Sequence, residues 1–399
     1  MLMQSPAPVP GFQAEPGSGQ LTGGRQEPVV VIAVDKFKGS LSADEVAEAL
    51  SRGLTEGATP VEIASHPVSD GGEGMVPLLT RFGYVQRTVT VSDPLGRRVP
   101  AQFAVCGRSA VVELAEASGL WRLAEDERDP RVTCSGGTGE LLSAAVAAGA
   151  RDVLVAVGGS ATSDGGAGLL RALGVSAYDA QGRPLPPGAA ALAELHELDL
   201  AGLDARLADV TVTVACDVDN PLLGPEGAVH TFAAQKGARP QDLDDLESAL
   251  QRWADVVEDK VGGVSRNVPG TGAAGGAAFA LAAVLNGQLT SGIEVFLQVT
   301  GFRQLARRAR LVITGEGSLD LQSLRGKAPI GVARAATEAG VPVIAVVGRS
   351  DVSAEQAQEA GFAQVYSLLE RAGDPETSMR EAARLLVEVG REIATELSP

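Results

Sequence analysis

The sequence predicts an α/β protein built as two α/β domains, and three features carry that prediction. Five apolar runs, VVVIAV ending at Val34, VLVAV ending at Val157, VTVTVA ending at Ala215, LVIT ending at Thr314 and VIAVV ending at Val347, are near-continuous rather than alternating. Strands of a parallel sheet covered on both faces read this way. Each run leads into a glycine-rich or acidic turn and then a helical stretch, the repeating unit of a mostly parallel sheet. At 399 residues, the chain is also too long for one ordinary core.

Taken in order, residues 1–27 are rich in Pro, Gly, Gln and Ser and are expected to form a disordered leader. A Rossmann-like parallel-sheet domain is expected at 28–84 and 290–399. Its first helix opens at the capping box Ser42-x-x-Glu45. A second, mixed-sheet α/β domain is expected as an insertion at 85–289. It begins with the short strands TVTV, RVPAQFAV and SAVVEL, joined by the turns SDPLG and CGRS, which read as antiparallel or mixed pairing. Farther on, GRPLPPG marks a surface loop, and Gly149 ends the Ala-rich helix LLSAAVAAG.

Composition narrows the function. A formal net charge of -17 repels nucleic acid and anionic membrane, so neither is expected as a partner. No apolar run reaches the length of a membrane span. Cys106, Cys134 and Cys216 are widely spaced with no CxxC, which suits a reducing compartment; the expected location is the cytoplasm.

Ligands of open parallel sheets bind at the carboxyl ends of the strands, so the turns there hold the candidate residues. Asp35-Lys36-Phe37-Lys38-Gly39 offers two cations before a helix, with Asp35 placed for a metal or a substrate hydroxyl. Ser69-Asp70-Gly71-Gly72-Glu73-Gly74 sets two carboxylates among three glycines, for substrate or metal. Ser135-Gly136-Gly137-Thr138-Gly139 and Gly158-Gly159-Ser160-Ala161-Thr162-Ser163-Asp164-Gly165 read as a phosphate cradle, with Asp164 placed to carry Mg²⁺. Asp217-Val218-Asp219-Asn220 is a metal or substrate candidate, and Gln235-Lys236-Gly237 adds one more cation. Glu316, Asp320, Arg325 and Lys327 form the densest charged group in the chain.

Two familiar patterns fail. No GxxxxGK[ST] loop is present, and Gly270-Thr-Gly272-Ala-Ala-Gly275 matches GxGxxG without the strand that a dinucleotide site needs before it. It reads instead as a loop packed on the helix AAFALAAVL. His66, His196 and His230 lack a Ser or Cys partner in a recognised spacing and read as structural or solvated.

The stretches DKFKGSLSADEVAEA, PVSDGGEGM, SGGTGELL, GGSATSDGGAG, ACDVDNPLLGPEG, PGTGAAGG and TGEGSLDLQSLRGKAPIGVA occur in the order found in the bacterial type I glycerate kinase family, which the chain resembles from about residue 31 to residue 348. The resemblance implies ATP-dependent phosphorylation of D-glycerate, with 2-phosphoglycerate more usual than 3-phosphoglycerate, in a cleft between two α/β domains. Phosphoryl transfer needs positioning and charge neutralisation, which suits these residue types. On that basis ATP is expected on Ser135, Gly136, Gly137, Thr138, Gly139, Gly158, Gly159, Ser160, Thr162 and Gly165. Mg²⁺ is expected on some of Asp164, Asp217 and Glu316. Substrate contacts are expected from Asp35, Lys38, Glu73 and Arg325; Lys327 is expected in the catalytic set, on an anionic group of glycerate or ATP, and either Asp70 or Asp320 would take the hydroxyl proton. The alternatives are a kinase of another small hydroxy acid or alcohol, and a non-catalytic ligand-binding protein.

Overall fold

The computed structural model describes residues 29–57, 61–69, 74–263, 266–321, 323–325 and 327–397. The expected leader, Asp70, Glu73 and the side chain of Arg325 lie outside the described residues. In chain order the strands begin with β1 (Val29–Val34), β2 (Glu62–Ser65), β3 (Val85–Ser92), β4 (Arg98–Cys106) and β5 (Ser109–Glu113). Next come β6 (Asp152–Ala156), β7 (Ser176–Tyr178), β8 (Glu197–Asp199), β9 (Thr211–Ala215) and β10 (Gln288–Thr290). The last five are β11 (Ala309–Gly315), β12 (Ser318–Leu319), β13 (Val343–Val347), β14 (Arg349–Ser350) and β15 (Gln364–Ser367).

The chain divides into two units. One runs over Gly71–Gly292; the other holds β1 and β2 and everything from Ile293 onward. In the second, β15-β13-β11-β1-β2 form a parallel sheet. Every residue of β1 is buried, as its unbroken apolar run requires of a strand with neighbours on both edges and cover on both faces. Val30, Ile32 and Val34 join one cluster with Leu50 and Leu54 of helix Ala43–Thr55 and with Leu386 and Val389 of helix Ala382–Glu396. These helices pack backbone to backbone, because a Cβ on Gly53 would lie 2.2 Å from the Val387 carbonyl oxygen. The capping box is formed: Ser42 receives the Glu45 N–H while the Glu45 carboxylate receives the Ser42 N–H.

The Gly71–Gly292 unit is built on the sheet β10-β9-β6-β5-β4-β3. Its first three strands pair antiparallel and β5, β6, β9 and β10 pair parallel, which makes the sheet mixed. Helix Met75–Leu79 goes with this unit although its sequence reads as part of the other domain. The physical link is Glu113, buried at the end of β5, whose carboxylate accepts the Gly74 N–H at 2.9 Å and also the Val76 N–H. Because the parallel strands share one direction, their carboxyl ends gather the chemistry-bearing turns at one edge of each sheet.

Candidate functional site

In the Gly71–Gly292 unit the site is organised by one carboxylate. Asp164, 1% exposed, follows β6 and receives hydrogen bonds from the Ser135 N–H and hydroxyl, both at 2.9 Å, and from the N–H groups of Gly166 and Gly168. Leu169 N–H in turn donates to Ser135 Oγ. The start of helix Ala167–Ala172 therefore already holds an anion, and that anion is Asp164 itself. Burial raises the carboxyl pKa, and the four donors aimed at it oppose the rise.

The glycines around Asp164 answer to close packing. A Cβ on Gly137 would lie 1.8 Å from the Ser92 carbonyl oxygen, and one on Gly139 would lie 2.3 Å from that of Leu169. Ser135 and Thr138 are fully buried, and the Thr138 hydroxyl donates to Ser118 Oγ. Ser135, Gly137, Thr138 and Gly139, expected to face phosphate, are thus turned against protein; Gly136 is the half-buried member of the set. In the second loop the open part is its tip: Gly159 is exposed with φ 70°, Gly158 is half-buried and Ser160 sits just beneath. The tip is tied back by Leu120 N–H to the Gly159 carbonyl and by Ala161 N–H to the Ser118 carbonyl.

Two further elements brace this loop. Trp253, from the long helix Leu243–Val261, donates its indole N–H to the Gly165 carbonyl at 2.9 Å and fills the space that a Gly165 side chain would need. The segment around Gly270–Gly276, rejected above as a dinucleotide fingerprint, is a loop against the same turn. Gly165 N–H donates to the Gly275 carbonyl, and a Cβ on Gly275 would lie 2.0 Å from the Thr162 carbonyl oxygen. Ala274, Gly275 and Gly276 all have positive φ, unusual for Ala274, which marks a backbone constrained by its surroundings.

Lys236, noted in the sequence only as one more cation, is the residue the structure brings into prominence. It is 2% exposed, and its ammonium donates to Ser160 Oγ at 2.8 Å and to the Thr162 carbonyl at 2.7 Å. Burial pulls its pKa down to about 7, against a smaller upward pull from Asp164. A sequence signal for it exists: Val229, Ala233 and Lys236 are spaced i, i+4, i+7, so the lysine continues an apolar face, and all three are buried.

Asp217 is exposed at the end of β9, and its Oδ1 accepts the Ser291 hydroxyl and the Gly292 N–H, which anchors the segment leaving β10. In the other unit, β1 and β11 are neighbours, so the turns after them meet. Asp35 N–H donates to the Gly315 carbonyl, Asp35 Oδ1 accepts the Lys36 N–H, and Gly317 approaches the backbone of Phe37 and Lys38. Asp35 and Glu316 are half-buried and Lys38 is exposed. Asp320 accepts the Ser323 N–H at 2.8 Å and its hydroxyl at 3.2 Å, and Lys327 stands half-buried at the N-cap of helix Ala328–Glu338. His66 is a buried structural residue, its Nε2 2.9 Å from Thr300 Oγ1, with burial lowering its pKa to about 4.

Among the described residues no group of three or more His, Cys, Asp or Glu side chains is placed to hold a metal. Mg²⁺ arriving with a nucleotide needs only one or two carboxylates. Asp164 does not fit even that part, since its oxygens are enclosed and already receive four donors. Of the other two metal candidates, Asp217 is exposed and Glu316 is half-buried.

Two outcomes follow for this site. Asp164→Asn should turn an amide N–H₂ toward N–H donors and cost roughly 2–4 kcal/mol of stability in urea unfolding. An Asn variant with unaltered stability and a changed Mg²⁺ requirement would restore Asp164 as a metal ligand. The second outcome concerns Lys236, whose native pKa of about 7 lies below the ordinary 10.5. Between those values the unfolded chain binds a proton that the native state does not, so this group makes stability rise with pH across the window. The rise should be on the order of 1–3 kcal/mol between pH 7 and 9, with Asp164 the charged group coupled to it, and should vanish in Lys236→Met.

The family model described as the glycerate kinase family matches residues 30–398. A glycerate kinase of Bacillus subtilis (strain 168) is 42% identical over 373 residues, 92% of this chain and 97% of that protein. A glycerate 2-kinase of Escherichia coli (strain K12) is 40% identical over 372 residues, covering 92% and 98% respectively. Among solved structures, that of a glycerate kinase 2 from Salmonella typhimurium LT2 matches with a TM-score of 0.81 at 38% identity, over 93% of this chain and 98% of that one. With agreement in sequence over nearly its whole length and in fold, this chain is an enzyme that belongs to the glycerate kinase family.

Proposed function

We propose that the protein transfers the γ-phosphoryl group of ATP to D-glycerate and forms 2-phosphoglycerate. The observation that carries this reading is the family match over residues 30–398, which takes in every strand-end turn described above. The choice of the 2-hydroxyl is supported by the name of the E. coli relative. The free cysteines Cys106, Cys134 and Cys216 suit a cytoplasmic enzyme.

In this reading the nucleotide phosphates lie at the loop tip Gly158-Gly159-Ser160 and beside Gly136, while Thr162, Asp164 and Gly165 hold the tip in shape from below. Asp217 or Glu316 would hold Mg²⁺, which when bound with ATP neutralises phosphate charge. Lys38, Arg325 and Lys327 bind the glycerate carboxylate, and Asp35 and Glu73 orient its hydroxyl groups. The proton leaves the attacking hydroxyl for Asp70 or Asp320. The Ser323 donors on Asp320 fix the direction of its carboxylate, as a base of this kind requires.

Incubation with Mg·ATP and D-glycerate, with ADP release followed by a coupled assay and the product identified by ³¹P NMR, should give 2-phosphoglycerate. Turnover only with another alcohol, or a 3-phosphate product, would replace the reading. Lys327→Met keeps the aliphatic stem and removes the charge. It should lower kcat/KM for glycerate at least about 10-fold. A rise in KM alone would assign the lysine to ground-state binding, a fall in kcat to charge developing in transfer, and unchanged constants to a surface cap.

A further inference from the structure

Lys236 poses a problem that the fold alone does not solve. A buried ammonium is costly unless it is paired, yet among the described residues no carboxylate is in ion-pair contact with it, and its two acceptors are a neutral hydroxyl and a neutral carbonyl. Both acceptors belong to the loop between Gly158 and Asp164. Nor is the lysine needed to plug a hole, since an apolar side chain of similar length would do so without the desolvation penalty.

The loop itself explains what the charge does. The hydroxyls of Thr162 and Ser163 are buried with no hydrogen-bond partner, so side-chain bonds of these two residues do not fix the segment between Ser160 and Asp164. Beyond the backbone ties to Ser118 and Leu120 and the Thr133 hydroxyl on the Ala161 carbonyl, the side-chain clamp on this stretch is Lys236, which spans Ser160 and Thr162. Gly237, with φ 100°, stops the short helical turn Ala234–Lys236 immediately after the lysine; a Cβ there would lie 2.1 Å from the Arg128 carbonyl oxygen. The lysine is therefore held at a fixed depth beneath the open tip.

We propose that Lys236 is the positioning residue of the nucleotide-phosphate loop: it fixes Ser160 and the Thr162 carbonyl in the conformation that receives phosphate and, in its protonated form, puts a positive potential behind the tip. This rests on the assignment of that loop to the nucleotide. An anion arriving at Gly158–Ser160 adds a countercharge to that of Asp164 and favours the protonated lysine, so part of the desolvation cost of the ammonium is recovered when phosphate binds.

The test uses the full chain and Mg·ADP as the probe, with binding read by calorimetry and by the fluorescence of Trp253, whose indole touches Gly165. Lys236→Met should remain folded, with a melting temperature within a few degrees of the parent, and should weaken Mg·ADP binding and raise the KM for ATP at least about 10-fold. The KM for glycerate should stay within about 2-fold. Ser160→Ala should move the same constants in the same direction by less, and the double variant should be no worse than Lys236→Met, because the two side chains act as one unit. If Lys236→Met does not fold, the same split between ADP and glycerate in Ser160→Ala decides the matter. Unchanged ADP affinity in Lys236→Met, additive effects in the double variant, or an equal loss for both substrates would overturn the proposal. A parent protein that binds Mg·ADP but does not phosphorylate glycerate would sink the functional reading and leave the lysine to be judged by its ADP affinity. A parent that binds no nucleotide would remove both.

Discussion

The Gly71–Gly292 unit depends on a buried anion that the protein provides for itself. Asp164 draws the N–H groups of Ser135, Gly166 and Gly168 and the Ser135 hydroxyl onto one carboxylate, and two glycine-rich loops from different strands thereby share a single fixed point. Hydrogen bonds to a charged group in a low-dielectric surrounding are among the stronger ones available to a chain, and the loss of one partner leaves the others unsatisfied. The rest of the site is arranged around that constraint. Glycine is required at 137 and 139 because the backbones come so close, Trp253 backs Gly165, and the strained Ala274–Gly276 segment closes on Thr162. At the tip, Gly159 stays exposed and Gly158 half-buried.

The other unit reaches a comparable result with different means. Its turns after β1 and β11 meet because those strands are neighbours, and the third turn, after β13, joins them through glycine: a Cβ on Gly315 would lie 1.9 Å from the Val346 carbonyl oxygen, and one on Gly348 would lie 2.5 Å from that of Gly317. Carboxylates and cations are carried on these turns. Asp35, Glu316 and Lys327 are half-buried and Lys38 is exposed.

What the sequence determined by itself is the class of the fold and the position of its strand-end turns. Parallel strands buried on both faces are written as unbroken apolar runs, and the five that end at Val34, Val157, Ala215, Thr314 and Val347 all correspond to strands of the structure. The glycine and carboxylate clusters that follow them are local signals, readable because a turn's chemistry is encoded within a few neighbouring residues. Tertiary structure alone decided what those residues face. Asp164 reads as a metal ligand in isolation and proves to be enclosed by donors, two of them from Ser135, twenty-nine positions away. The glycines at 137 and 139 read as a cradle, yet their space is taken by Ser92 and Leu169. Lys236 looks like one more surface cation until its helical turn is packed under Ser160 and Thr162. The physical reason is common to all three: propensity and periodicity act between near neighbours, whereas burial, desolvation and the direction of a hydrogen bond depend on which distant backbone arrives at the same place.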